Sequence, residues 1–212
     1  EVPSVGPQLT FDEVRAAVEN ACTAVRLELD DDTGGTPPAH RKGRFLVAAR
    51  SLQPGEAFLS EQPLFCGSCN GAQSRKAYTA DFAGLLDAPA QDDDLDPEED
   101  CLHPRSPLMD CLAGIILAKC SALRGPSGAQ RARDERRMRQ LSSLCRAARP
   151  DVVPDDCAKD VLGVLRPELQ EVTSEEEIAD FVHILHSNRF GGADSNLDLM
   201  FAGSMFEHSC LP

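Results

Sequence analysis

The sequence has no tryptophan and a single tyrosine, Tyr78. By itself it can therefore hardly build an aromatic channel around an alkylammonium group. Its 21 lysines and arginines are outnumbered by 35 acidic residues, which gives a formal net charge of −14. Neutralising phosphates requires an excess of basic residues, so we expect no direct binding of nucleic acid. A basic protein is the better partner for such a chain.

Long hydrophobic runs are lacking too. The longest apolar run, CLAGIILA at 111–118, is too short to cross a bilayer, so we expect no membrane span. The first residues, EVPSVG, contain neither a basic stretch nor an apolar run, and we expect no secretory signal. The nine cysteines are an odd number and are scattered along the chain, which does not suit a disulfide framework. We therefore expect free thiols in a reducing compartment, the cytoplasm or the nucleus.

Residues 1–39 predict an N-terminal helix followed by a linker. Apolar residues recur at helical spacing over 9–29, and Thr10 followed three residues later by Glu13 predicts a capping box at the start of this helix. The linker after the helix is rich in Asp, Gly and Pro, which favour turns and loops.

Extended structure is predicted at two places. Over 40–66, apolar residues alternate with polar or small ones on both sides of Pro54-Gly55, which predicts a β-hairpin with strands at 45–49 and 57–61. Near the other end, the segment LDLMFAG at 197–203 predicts a further strand.

Between these regions the sequence predicts an acidic loop region, 67–105, and a helical insert, 106–190. The stretch 87–100 carries eight acidic residues and no basic one, so a solvated loop is favoured over a calcium site, which needs ligands at alternate positions and a glycine turn. In the insert, Ser174 before three glutamates has the form of a helix N-cap. The fold class predicted is α+β, with short antiparallel strands and a helical insertion.

Two polar clusters in the helical region favour ordinary structural roles. The arginine-rich stretch 131–139 interleaves acidic residues and has no aromatic residue, which is typical of a solvated helix face. His183 and His186 fall at the edge of an amphipathic helix, and a third ligand is not evident nearby in the sequence. We therefore interpret them as polar surface positions rather than metal ligands.

A zinc site near Cys66 and Cys69 is one interpretation of the CGSC spacing. The next candidate ligands are Cys101 and His103, which lie beyond the acidic stretch. A four-ligand site from these residues stays open as an alternative, but two unliganded thiols are the favoured interpretation.

Three segments carry a resemblance to a known family. The first, KGRFLVAARSLQPGEAFLSEQPLF, resembles the opening strands of a SET domain, through KGRFLVA and through PGE-x-x-L-x-E-x-PL. The second, IADFVHILHSNRFGG, resembles the segment before the SET signature in the SET-and-MYND subfamily of protein lysine methyltransferases. The third, EHSCLP, resembles the first part of the signature Asn-His-Ser-Cys-x-Pro-Asn. Residues 40–212 are accordingly interpreted as a partial SET domain, with 191–212 as the start of its cofactor-binding signature and no MYND finger evident.

The resemblance implies S-adenosylmethionine as cofactor and the lysine of a histone or other basic protein as substrate. It implies that Lys42, Gly43 and Arg44 contribute backbone contacts to the cofactor. It also implies that Asn188 binds the methionine end, while Glu207 and His208 border the adenine. Gly43 would let the backbone approach the cofactor closely, because glycine has no Cβ atom.

The residues beyond Pro212 matter for the same resemblance. It places there the last Asn of the signature, the catalytic Tyr and a Cys-x-Cys-x-x-Cys segment that would complete a zinc site with Cys210. We therefore expect the chain to be the front portion of a methyltransferase, inactive alone, and its catalytic residue stays unknown.

Two residues depart from the family pattern and favour a second hypothesis. Phe45 stands where the family has a second Gly, and Glu207 stands where it has Asn. An ionised Glu207 carboxylate could not donate the hydrogen bond that the Asn amide offers. These changes favour a non-catalytic SET-like scaffold that binds a basic partner. A Cys-His hydrolase, with Cys210 as nucleophile and His208 or His186 as base, ranks well below the SET hypothesis because the sequence shows no third orienting residue and no oxyanion element.

Overall fold

A computed structural model describes residues 8–29, 44–68, 71–79, 84, 106–144, 155–191 and 196–205 of the chain. Its first element is α1, Phe11–Ala21, which begins with the predicted capping box. Thr10 Oγ1 accepts from the Glu13 amide at 3.3 Å, and Glu13 Oε2 accepts from the Thr10 amide at 2.8 Å. The two bonds satisfy amide groups that a helix start otherwise leaves without partners.

The helix predicted over 9–29 ends earlier than expected, and its last part is a strand. Residues Val25–Leu29 form β1, in which Val25 and Leu27 are buried and Arg26 is exposed. This alternation has a period of two, which suits a strand with one buried face. The apolar residues at 22–29 fit both periodicities, so the sequence pattern alone did not separate them.

The prediction of a β-hairpin within 40–66 is also wrong. Strand β2, Arg44–Ala48, pairs antiparallel with β1, so that Arg44 lies opposite Leu29 and Ala48 opposite Val25. Residues 51–63, all of which the structure describes, contain no strand. The strand β1 takes the partner position that the sequence pattern assigned to 57–61.

The second sheet carries the parts of the chain near the candidate site. It consists of β3, Phe65–Ser68, β4, Arg189–Phe190, and β5, Asn196–Leu199, in the antiparallel order β3-β5-β4. The strand predicted at 197–203 is thus confirmed over its first residues. The sheet joins the chain before the helical region to the chain after it.

The region predicted as a helical insert, 106–190, is mainly helical where the structure describes it, but its last two residues, Arg189–Phe190, form strand β4. Its helices are α3, Pro107–Arg124, α4, Ala129–Leu141, α5, Asp155–Val164, α6, Pro167–Gln170, and α7, Glu175–Asn188, and a short α2, Ser74–Ala77, precedes them. None of the described helices is long and apolar enough to cross a membrane. Helices and two small antiparallel sheets together confirm the α+β class.

The core forms around α3. This helix packs against β3, β5, α2, α4 and α7, and residues such as Leu112, Ile115 and Ile116 have no exposed surface. Each such side chain contributes about 2 kcal/mol through burial. A Cβ atom at Gly67 would lie 1.7 Å from the carbonyl oxygen of Pro107, so only glycine lets β3 lie this close to the start of α3.

The arginine-rich stretch is helix α4, and part of it is a solvated face as predicted. Arg133 and Arg136 are exposed. Arg137 is different, because its guanidinium donates to the carbonyl oxygen of Leu64 and lies 4.1 Å from the centre of the Phe65 ring. It therefore attaches α4 to the start of β3.

Candidate functional site

Two of the three segments that carry the family resemblance reach one turn of the chain. We call this the 201–205 turn: it follows β5 and consists of Phe201, Ala202 and the 3-10 helix Gly203–Met205. Four of its five residues are buried, and Ser204 is half-buried. From its last residue the chain continues into FEHSCLP, the segment that resembles the SET signature.

Glu61 binds the backbone of this turn. Its Oε1 accepts from the amides of Phe201 and Ala202 at 3.0 and 2.9 Å, and its Oε2 accepts from the amide of Gly203 at 3.0 Å. Hydrogen bonds to a charged acceptor are stronger than neutral ones. The second half of the first motif, in which Glu61 is the glutamate of E-x-P, is thereby attached to the 201–205 turn.

Asn188 binds the same turn from another part of the chain. It is the last residue of α7 and is buried, and its Nδ2 donates to the carbonyl oxygen of Ile184 at 2.8 Å. Its own main-chain carbonyl oxygen accepts from Ser204 Oγ at 3.1 Å. The side chain thus stabilises the end of α7, while the backbone links that end to the turn.

Two further segments complete the cluster. Strand β2, from the first motif, lies against the 3-10 helix Gly203–Met205. Phe190 of β4 lies beside Gly203: a Cβ atom built on that glycine would be in van der Waals contact with Phe190 Cε2, at 3.4 Å. The same Cβ atom would lie only 2.9 Å from Met200 Cβ, so it is the approach of Met200 that favours glycine here. The Phe190 side chain itself remains 45% exposed.

Not all predicted site residues fall within the described part of the chain. Asn188 and the backbone of Arg44 do, and both belong to elements that reach the 201–205 turn. The others lie outside the described residues, and their roles stay predictions; they are Lys42, Gly43, Glu207, His208 and Cys210.

The zinc hypothesis near β3 rests on residues of which only one is described. Cys66 is exposed on β3, opposite Asp198 of β5, whereas Cys69, Cys101 and His103 lie outside the described residues. Among the residues that the structure describes, no group of three His, Cys, Asp or Glu side chains is placed to hold a metal ion. His183 and His186 lie half-buried on α7.

A buried carboxylate holds the segment after β3, and the sequence reasoning missed it. Asp110 of α3 is 3% exposed and accepts from the amides of Ser68, Gln73 and Ser74 at 3.1, 2.8 and 3.1 Å. Burial raises the pKa of Tyr78, and the Asp110 charge adds to this. An acidic residue within an otherwise apolar helical run was the signal for this role.

Comparison with known proteins finds no match to this chain. No protein-family model matches the chain, and no curated protein or solved structure matches it either. Support for a function consequently comes from the motifs and from how the fold brings them together.

Proposed function

We propose that this chain carries the cofactor-binding portion of an S-adenosylmethionine-dependent, SET-type protein-lysine N-methyltransferase. One observation supports the proposal above all others: two of the three segments quoted for the resemblance reach the 201–205 turn, and in the sequence this turn leads into the third. Glu61 and Phe201 are 140 residues apart in sequence and are joined by a hydrogen bond. Chance matches to short motifs would have no reason to meet in space.

The chemistry of the proposed reaction fits what such a cluster can provide. S-adenosylmethionine supplies a methyl group on a sulfonium, and a lysine amine receives it in line. The protein's task is to hold the two groups at near-attack geometry. In this proposal the backbone of 42–44 and the Asn188 amide hold the cofactor, with Glu207 and His208 at the adenine. The fold attaches two of these parts, β2 and the end of α7, to one turn.

The proposed substrate is a lysine on a basic protein, such as a histone tail. The net charge of −14 favours encounter with a positively charged segment and opposes encounter with nucleic acid. We propose the cytoplasm or the nucleus as the location, in agreement with the expectation of free thiols.

Calorimetric titration of the full-length protein containing this chain with S-adenosylmethionine tests the proposal. We expect saturable binding at one site, and we expect Asn188→Ala to weaken it at least about tenfold. Ser187→Ala is the matched control, because it is the neighbouring residue and its exposed hydroxyl donates within α7, to the His183 carbonyl at 2.7 Å.

The departures at Phe45 and Glu207 favour the second candidate, a non-catalytic scaffold. If wild-type protein shows no binding of S-adenosylmethionine up to about 1 mM but binds a lysine-rich peptide, the scaffold replaces the methyltransferase. Cofactor binding together with methyl transfer to that peptide would exclude the scaffold.

A further inference from the structure

Both oxygens of the Glu61 carboxylate bind one short stretch of backbone. Both oxygens accept, and the three donors are the consecutive amides of Phe201, Ala202 and Gly203, at 3.0, 2.9 and 3.0 Å. All three of these residues are buried. A buried amide without an acceptor costs free energy, so the acceptor supplied by Glu61 decides whether this backbone shape is stable.

Other glutamates in the chain cap backbone amides, but they do so locally. Glu13 accepts from Thr10, three residues away, and Glu56 accepts from Gln53 at the same separation, at 3.0 Å. Glu61 instead reaches across 140 to 142 residues. Its bonds therefore determine tertiary placement of the turn and contribute nothing to the secondary structure around Glu61 itself.

The placement matters because of the groups that surround the turn. Ser204 bonds to the backbone of Asn188, Phe190 lies beside Gly203, and β2 lies against the 3-10 helix Gly203–Met205. A shift of the turn would move it away from all three. Since cofactor binding depends on the relative positions of these segments, loss of the carboxylate should weaken binding without removal of any cofactor contact.

We propose that Glu61 is a positioning residue: it holds the 201–205 turn in the one arrangement that aligns the cofactor-binding segments, and it does so without contacting the cofactor. The inference rests on the proposed function for its consequence, cofactor affinity. Its structural part, the protection of three specific amides by one carboxylate, is independent of that function.

Glu61→Gln and Glu61→Asp test the inference in the full-length protein. Glutamine keeps the length but replaces one acceptor oxygen with a donor, and aspartate keeps the charge but is one methylene shorter. Glu56→Gln is the matched control, because Glu56 belongs to the same segment and bonds only to Arg50 and Gln53 in the described contacts. Hydrogen exchange of the 201–203 amides is measured first, without cofactor, and affinity for S-adenosylmethionine second.

We expect exchange at 201–203 to rise at least about tenfold in Glu61→Gln, while the amides in the middle of α3 keep their wild-type rates. Cofactor affinity should fall about tenfold, with Glu61→Asp between the wild type and Glu61→Gln. Glu56→Gln should change neither quantity. If Glu61→Gln does not fold, the same comparison is made on Glu61→Asp.

The positioning role and the proposed function fail in different ways. Unchanged exchange at 201–203 in a folded Glu61 variant would overturn the positioning role, whatever the wild-type protein binds. Suppose that the wild-type protein binds S-adenosylmethionine. A Glu61 variant with increased exchange at 201–203 but unchanged affinity for S-adenosylmethionine would then also overturn the positioning role. A wild-type protein that binds no S-adenosylmethionine, but shows the exchange pattern expected, would overturn the proposed function alone.

Discussion

Lys119 and Glu177 form an ion pair between α3 and the start of α7, and the lysine is almost completely buried. The Lys119 side chain is 2% exposed and its Nζ donates to Glu177 Oε1. The other oxygen of the same carboxylate accepts from the Ser174 amide at 3.1 Å, while Ser174 Oγ accepts from the Glu177 amide at 3.2 Å. One carboxylate thus completes a capping box and neutralises a buried ammonium group. The helix that it places against α3 carries Asn188 at its other end.

The two partners of this ion pair should respond unequally to substitution. Glu177→Gln keeps an oxygen for the capping box but leaves the buried Lys119 charge without its counterion, and we expect it to lower the free energy of unfolding by about 3 kcal/mol. Lys119→Met leaves only the 30% exposed Glu177 carboxylate and should cost about 1 kcal/mol. Chemical denaturation measures both, with the exposed Glu176→Gln as the control. Equal losses in the two variants would contradict this account.

Two glycine substitutions should have opposite signs. Gly67→Ala would place a methyl group 1.7 Å from the Pro107 carbonyl oxygen, so β3 and α3 must separate, and we expect a loss of at least about 3 kcal/mol. Gly163→Ala lies in α5, where the added Cβ would have no atom within 4 Å apart from its chain neighbours and the backbone of its own helix, and it should stabilise the protein by about 0.5 to 1 kcal/mol. Thermal and chemical denaturation of both variants would check the pair. A Gly67→Ala protein as stable as the wild type would show that β3 does not pack on α3 in this way.

Alkaline pH should destabilise the fold through two buried acids. Burial raises the pKa of the Cys111 thiol, and burial together with the Asp110 charge raises that of the Tyr78 hydroxyl. Both groups are therefore neutral in the folded state at a pH where they ionise in the unfolded chain. The stability from these groups is fully present below the unfolded pKa values, about 8.5 for Cys and 10 for Tyr, and is lost as pH rises above them.

The measurement is the free energy of unfolding at pH 8, 9 and 10, in wild type and in Cys111→Ala. Relative to its own value at pH 8, the variant should lose less stability by pH 10, because the Cys111 contribution is removed while that of Tyr78 remains. Alkylation provides a second comparison: the exposed Cys66 should react in the native protein while Cys111 is protected until the protein unfolds. Identical pH dependence in the two proteins would contradict the assignment to Cys111.

The resemblance also makes a prediction about the residues after Pro212 in the full-length protein. We expect Asn at the next position, then a strand with a Tyr, and then a Cys-x-Cys-x-x-Cys segment. Sequencing the transcript beyond this point measures all three features. If both the Tyr and the cysteines are missing, the scaffold hypothesis replaces the methyltransferase.

Features that depend on neighbouring residues could be predicted from the sequence. The capping box at Thr10 and Glu13 and the helix start at Ser174 join residues three apart, so the residue types alone indicated them. The helical region and the strand near 197 followed from periodicity in the same way. The strand at 25–29 was missed, because its apolar residues also fit a helical period and its partner, β2, lies beyond a linker.

The α+β class, the local caps and the motifs that resemble a SET domain could be predicted from the amino-acid sequence alone, since each depends on residue type and short spacing. The pairing of β2 with β1, the binding of the 201–203 amides by Glu61 and the ion pair of Lys119 with Glu177 are evident only in the folded structure. Those contacts join residues far apart in the chain. Their formation depends on how distant segments pack against each other, which residue periodicity does not encode.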